Sequence, residues 1–296
     1  MTYGADTTPH GLPVFARHID GAAACGCRKK GQFHARNRSG PAPQSPMTSE
    51  TPATLLCSEC PLRPLALFQA HEPAELELVQ SLKRRDLYLP PGRALIQEGQ
   101  VDAPLYTLQK GWAFRFKTLS DGRRQILSFL LAGDFIGVQQ KMGDAAAHGV
   151  ETLTDAAFCV FQRDSLWEIH RRSPTMGFNV TWLTAHEESL VDDTLLSVGR
   201  RSAEERIAML LILLFKRAAA LQADAGAQGV PFPLTQQHVA DALGLSLVHT
   251  NKTLRKLERR GLHQIREGRL YMRDVRALAR LADLYGDGRP PVRPLV

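Results

Sequence analysis

The run Leu234-Thr235-Gln236-Gln237-His238-Val239-Ala240-Asp241-Ala242-Leu243-Gly244-Leu245-Ser246 constrains this 296-residue chain more than any other stretch. Thr235 is a good N-cap, and Val239, Ala240 and Leu243 form one inward helical face. The small Ala240 permits a second helix to approach closely. Gly244 supplies the left-handed residue that ends the first helix, and Leu245 plugs the core between the two. Ser246 caps the second helix, in which Thr250, Leu254 and Leu257 turn inward. Ile265-Arg266 and Arg269 to Met272, around Glu267-Gly268, then predict a hairpin wing. Together these spacings define a winged helix-turn-helix. The face it leaves outside suits the major groove, where each base pair shows a distinct donor and acceptor pattern. Val248 fits a thymine methyl, His249 or Asn251 a base edge or phosphate, and Lys252 guanine acceptors. Arg255 and Arg259-Arg260 fit phosphate. With Thr235, Gln236, Ser246 and Leu247 at the helix starts, Val248, His249, Asn251, Lys252 and Arg255 form the candidate DNA-contacting set.

Charge agrees with that reading. The chain carries a formal +7, and residues 200–296 hold 17 basic and nine acidic side chains, or +8. Residues 47–199 carry −5 and residues 1–46 carry +4. A basic C-terminal third beside an acidic middle is the distribution expected of one nucleic-acid-binding module.

Residues 1–46 show no sustained apolar period, and Ser39 to Pro46 reads as linker. This segment is expected to be a disordered basic arm or to lie upstream of the true start, for which Met47 is the candidate. Helical spacing of Leu76, Leu78, Val79 and Leu82 predicts a short helix from about Ala74 to Ser81. From about 84 to 163 the period changes to short strands: Leu87–Leu89, Leu95–Ile96, Leu105–Leu108, Trp112–Phe116, Gln125–Leu130, Gly149–Thr152 and Ala157–Phe161. Turn formers such as Pro90-Pro91-Gly92 and Ser120-Asp121-Gly122 separate them, which predicts a compact antiparallel module. A short helix at Arg163–Ile169 stops near Ser173-Pro174. A long one follows from about Thr175 to Leu196, with Met176, Val180, Leu183, Leu190, Leu195 and Leu196 on its apolar side, and is a candidate dimer seam. Ser202 caps another helix that runs through Ile207, Leu210, Leu211 and Leu214 to about Leu221.

This order of modules resembles the Crp–Fnr superfamily of bacterial transcription regulators over about 57–285. The most specific pieces are Glu98-Gly99, Leu131-Ala132-Gly133-Asp134-Phe135-Ile136-Gly137, Ala203 to Ala208 and the helix-turn-helix. The resemblance implies an α+β fold: an N-terminal cyclic-nucleotide-binding-like β-roll (57–170), a long dimerisation helix (171–198) and a C-terminal winged helix-turn-helix (199–285). Residues 1–56 are left as the arm and 286–296 as a tail. It also implies a homodimer that reads a pseudo-palindromic promoter site and engages RNA polymerase. The implied mechanism is allosteric, a signal changing the spacing of the two reading helices. By the same resemblance the effector pocket falls on Gly133, Asp134, Phe135, Ile136, Ala147 and His148. Ala147-His148 stands where nucleotide-binding members hold the cyclic phosphate with an arginine and a hydroxyl, so cyclic AMP is disfavoured as effector. Val248 and Lys252 also replace the Glu and Arg of familiar reading helices, so the target sequence differs from the standard half-sites.

Cysteine supplies a rival sensory reading. Cys57-Ser58-Glu59-Cys60 and Cys159 resemble part of the iron–sulfur ligand set of oxygen-sensing members, but a [4Fe–4S] cluster wants four thiolates. Cys25 and Cys27 complete a set only if the leading arm is real. An iron–sulfur cluster, a zinc site, a thiol redox switch and plain burial therefore all stand open for these residues. Other classes fare worse. A cupin-like enzyme needs clustered histidines, and residues 84–163 hold only His148, so no enzymatic activity is expected. A protein-interaction module that binds no DNA is the remaining competitor. The longest apolar run, Ala208 to Phe215, is too short to span a membrane, and the N-terminus has no apolar signal region. Five cysteines in such a chain predict reduced thiols and a cytoplasmic protein.

Overall fold

The computed structural model describes residues 54–139, 144–222, 228–284 and 291–296. The leading arm, including Met47, Cys25 and Cys27, lies outside the described residues. A one-turn 3-10 helix at Cys57–Glu59 is followed by α1 (Pro73–Leu82), which opens with Pro at its first turn and a Glu72/Glu75 capping box.

Eight strands then build two four-stranded sheets: β1 (Lys83–Leu89), β2 (Ala94–Ile96), β3 (Leu105–Lys110), β4 (Ala113–Thr118), β5 (Arg124–Leu130), β6 (Phe135–Ile136), β7 (Gly149–Thr152) and β8 (Ala156–Phe161). One sheet has the order β1-β8-β3-β6 and the other β2-β7-β4-β5, with every pairing antiparallel. Period-2 alternation gives each strand two jobs. Phe158 and Val160 of β8 face the inside of the roll with Leu108, Leu130 and Ile136. Cys159 and Phe161 face outward, onto Leu78 and Val79 of α1 and the helices that follow.

Those helices are α2 (Ser165–Arg172) and α3 (Pro174–Arg200). Ser173 sits between them in extended conformation, its hydroxyl accepting from the Met176 N–H at 3.2 Å, and Pro174 starts α3 with a preset φ. The long helix extends one turn past the end expected from the sequence. Its first half buries Met176, Val180 and Leu183, whereas Val191, Leu195 and Leu196 near its end are exposed.

α4 (Ala203–Ala219) opens with a Ser202/Glu205 capping box. Then come β9 (Val230–Pro231), α5 (Gln236–Leu243), α6 (Leu247–Arg259), β10 (His263–Arg266), β11 (Arg269–Met272) and α7 (Val275–Leu281). The segment before α5 contributes β9 as a third strand of the wing, in the order β10-β11-β9. This strand is two residues long, too short for a strand alternation to show in the sequence. One apolar core joins the winged helix to the outer face of the roll: Phe114 and Phe129 of β4 and β5 share it with Ile207, Leu211, Val239 and Leu257.

Candidate nucleic-acid interface

The helix-turn-helix is built by local chemistry. Thr235 Oγ1 accepts from the His238 N–H, and His238 Nδ1 accepts from the Thr235 N–H, both at 3.2 Å. This reciprocal cap uses up the polar edge of His238, whose pKa is held below the ordinary value by burial and by Arg124. Gly244 ends α5 at φ 62°, a conformation that penalises any side chain with a Cβ. Leu245 N–H then closes onto the Ala240 carbonyl at 3.1 Å, and Ser246 Oγ accepts from His249 N–H at 3.2 Å to start α6. Thr250, Thr253, Leu254 and Leu257 turn inward.

What remains outside is the candidate reading face. Thr235, Gln236, Ser246, Leu247, Val248, His249, Lys252 and Arg255 are all exposed, and Asn251 is half-buried. Val248 is 79% exposed and stands beside Leu247, 46% exposed, at the start of α6. Val248, Asn251, Lys252, Arg255 and Arg259 line a single open groove along the helix. All nine sequence-predicted residues thus fall on or at the start of the two helices, and four of them, Val248, Asn251, Lys252 and Arg255, cluster on one face of α6.

Long-range supports, which local sequence patterns do not reveal, hold this face in place. Glu204 of α4 pairs with Lys256 and with Arg260, the latter at 3.0 Å. Arg206 donates to the Arg201 carbonyl at 2.7 Å and to the Leu243 carbonyl at 3.0 Å. Gln125 of β5 donates to the Ala242 carbonyl at 3.0 Å, so two carbonyls at the end of α5 are satisfied from other elements. Sequence reasoning gave Glu204 only its local role, an acid in the first turn of a helix.

The six residues expected to form an effector pocket are not brought together as one. Asp134 lies inside: it is 1% exposed and its carboxylate is fully engaged. Oδ2 accepts from the Leu131 N–H at 2.8 Å and from Arg217 at 2.5 Å, while Oδ1 accepts from Arg293 at 2.7 Å. Burial opposes the charge, but Arg217 and Arg293 hold the carboxyl below the usual range. Gly133 has φ +90° and lies so close to the Phe68 ring that a Cβ would strike it. Phe135 packs toward α1 and α3, Ile136 into the roll interior, and Ala147 is exposed. His148 is buried near Arg115 and Lys117. Its pKa is pushed down to about 4, by burial first and by those two cations next. It is therefore a neutral imidazole at pH 7, unlike the arginine that a cyclic phosphate needs.

Cys57, Cys60 and Cys159 do line one small cavity, together with Lys83. Only these three cysteines occur among the described residues, and no group of three or more His, Cys, Asp or Glu there is placed to hold a metal ion. Burial raises the Cys57 thiol and pushes Cys159 up to about 12, so neither is a thiolate at neutral pH in the metal-free protein. Cys159 sits in the core cluster behind β8.

The chain matches the family model described as a Crp-like helix-turn-helix domain over residues 205–281. It also matches the cyclic nucleotide-binding domain over 86–173. It is 30% identical over 226 residues to the nitrogen fixation regulation protein FixK of Bradyrhizobium diazoefficiens, covering 76% of this chain and 93% of that protein. The chain belongs to the Crp–Fnr family of transcription regulators. Another member, the transcriptional activator protein FnrL of Cereibacter sphaeroides, is 31% identical, covering 81% of this chain and 97% of the relative. Among solved structures, FixK2 from Bradyrhizobium japonicum matches with a TM-score of 0.60 at 25% identity, covering 69% of this chain and 98% of that one. The α+β architecture of roll, long helix and winged helix is that of the family.

Proposed function

We propose that this Crp–Fnr protein is a homodimer that reads a pseudo-palindromic promoter site with α6, and that Thr235, Gln236, Ser246, Leu247, Val248, His249, Asn251, Lys252 and Arg255 make the DNA contacts. The observation that carries this reading is the outer face of α6, where an exposed Val248 stands beside Asn251, Lys252 and Arg255 along one groove. Apolar, amide and cationic groups at successive turns match the mixed chemistry of base edges and phosphates. The exposed Val191, Leu195 and Leu196 at the end of α3 support that helix as the dimer seam, since a second copy of the helix would cover them. On this reading residues 57–170 form the sensor, 171–198 the seam and 199–285 the reading head, with RNA polymerase as the partner at the promoter. The protein acts in the cytoplasm without catalytic chemistry of its own, and cyclic AMP is not its effector. Among the described residues, no helix is long and apolar enough to cross a membrane.

Selection of bound duplexes from a random DNA pool tests the proposal. A two-fold-symmetric motif is expected, with affinity that falls steeply as salt rises. Recovery of no motif, together with salt-independent binding, would sink it.

A further inference from the structure

Residues 291–296 lie on the β-roll. The Arg293 N–H donates to the Leu67 carbonyl at 2.8 Å, and the Gln69 N–H donates to the Arg293 carbonyl at 2.9 Å, which makes a parallel bridge beside Phe68. The Arg293 guanidinium donates to Asp134 Oδ1 at 2.7 Å and to the Gly133 carbonyl at 2.9 Å, with its carbon 5.9 Å from the Phe68 ring centre. Leu295 joins Leu62 and Phe68 in a small apolar cluster. Val296 packs with Cys57, Leu78, Leu105 and Cys159, and its carbonyl accepts from the Thr107 hydroxyl. Arg293, Leu295 and Val296 are each less than 9% exposed.

A guanidinium is costly to bury unless a carboxylate meets it. Here Asp134 meets two, one through each oxygen. Arg293 comes from the segment after the wing, and Arg217 comes from α4, where it also donates to the Phe129 carbonyl at 2.8 Å. One carboxylate in the turn between β5 and β6 thus meets a cation from the winged helix and a cation from the segment that follows it. We propose that residues 291–296 are an intramolecular strap that clamps the DNA-reading half to the β-roll and fixes where α6 stands relative to α3. The proposal rests on the DNA-reading function above, because a fixed pose matters only if α6 must meet a half-site at a set distance from its partner.

The test uses the full chain with Arg293→Met, which breaks the ion pair, and Leu295→Asp, which ejects the segment without touching Asp134. Hydrogen exchange is expected to quicken by about tenfold or more at residues 67–69, 105–110 and 131–136 in both variants, with α6 unchanged. Selected sites carrying one inserted base pair between half-sites then read the pose. The native protein should lose about tenfold in affinity on the insertion and the variants less than about threefold, because a loosened head accommodates the rotation. Unchanged exchange in both variants overturns the strap as a docked element. Quickened exchange with full spacing discrimination overturns its positioning role. If the native protein selects no DNA motif at all, the DNA-reading function fails and the positioning role falls with it, while the exchange arm still reports docking. Should Arg293→Met fail to fold, Leu295→Asp decides alone.

Discussion

Two carboxylates in this molecule each hold two cations, and they differ in where they do it. Glu204 joins Lys256 and Arg260 at the surface of the reading head, with those cations about half exposed. Asp134 joins Arg217 and Arg293 inside, with its own side chain 1% exposed. Water screens the first cluster, so its members can exchange a carboxylate for a phosphate at little cost. The second is shut away from solvent, and its two cations have nowhere else to go. One arrangement suits binding, and the other suits holding a shape.

The largest expected effect comes from breaking the inner cluster. Asp134→Asn leaves two guanidiniums buried without a counter-charge and should cost about 3–5 kcal/mol in chemical denaturation. A loss near that of a surface pair would mean that water reaches Arg217 and Arg293. Next comes the reading face itself: Lys252→Ala should lose about 1–3 kcal/mol of affinity for the selected site and much less for random duplex. Equal losses on both would reassign Lys252 to phosphate.

Acid separates buried from surface chemistry in another way. His148 and His263 have pKa values pushed down to about 4 by burial, against an ordinary 6.5. The unfolded chain therefore binds protons that the folded one refuses, so stability should be full above about pH 6.5 and fall as pH drops toward 4. Asp134, also depressed, contributes stability above the ordinary carboxylate range, and it is lost only as pH falls through its lower folded value. Denaturation midpoints against pH should show the histidine slope unchanged in Asp134→Asn and the most acidic loss diminished. The smallest effect is expected at the surface: Glu204→Gln should change stability by about 0–1 kcal/mol. By freeing Lys256 and Arg260 for phosphate, it should also steepen the salt dependence of DNA binding by about one to two counterions. A loss of several kcal/mol would show that Glu204 does more than bind cations.

The same contrast explains what the sequence made legible. The helix-turn-helix could be read residue by residue because its determinants are local: Thr235 caps, Ala240 lets the helices close, Gly244 turns, Leu245 fills and Ser246 caps again. The roll was legible as a set of strands, since alternation and turn residues are also short-range. What Asp134 does was not. In sequence it sits in a glycine turn and reads as part of a ligand pocket, yet its partners lie 83 and 159 residues away. Nothing in an arginine's neighbours says which distant carboxylate it will meet. β9 escaped for a related reason, because a two-residue strand announces itself only through its partner. The cysteines show the same limit: C-x-x-C suggests a metal or redox site in sequence, whereas the packing of Cys57 and Cys159 into one apolar cluster depends on distant residues such as Leu78 and Val296.

The strap also says something about how the chain is assembled. The contact of Asp134 with Arg293 closes a loop of 159 residues, one of the least local contacts in the molecule, whereas the sheets and helical hairpins form from much nearer neighbours. Closing so long a loop costs chain entropy on the order of 4–5 kcal/mol unless intervening structure has already drawn the ends together. The roll and the winged helix are therefore expected to fold first and the strap to lock afterwards, so that a newly folded molecule passes through a stage with both halves complete but not yet fastened.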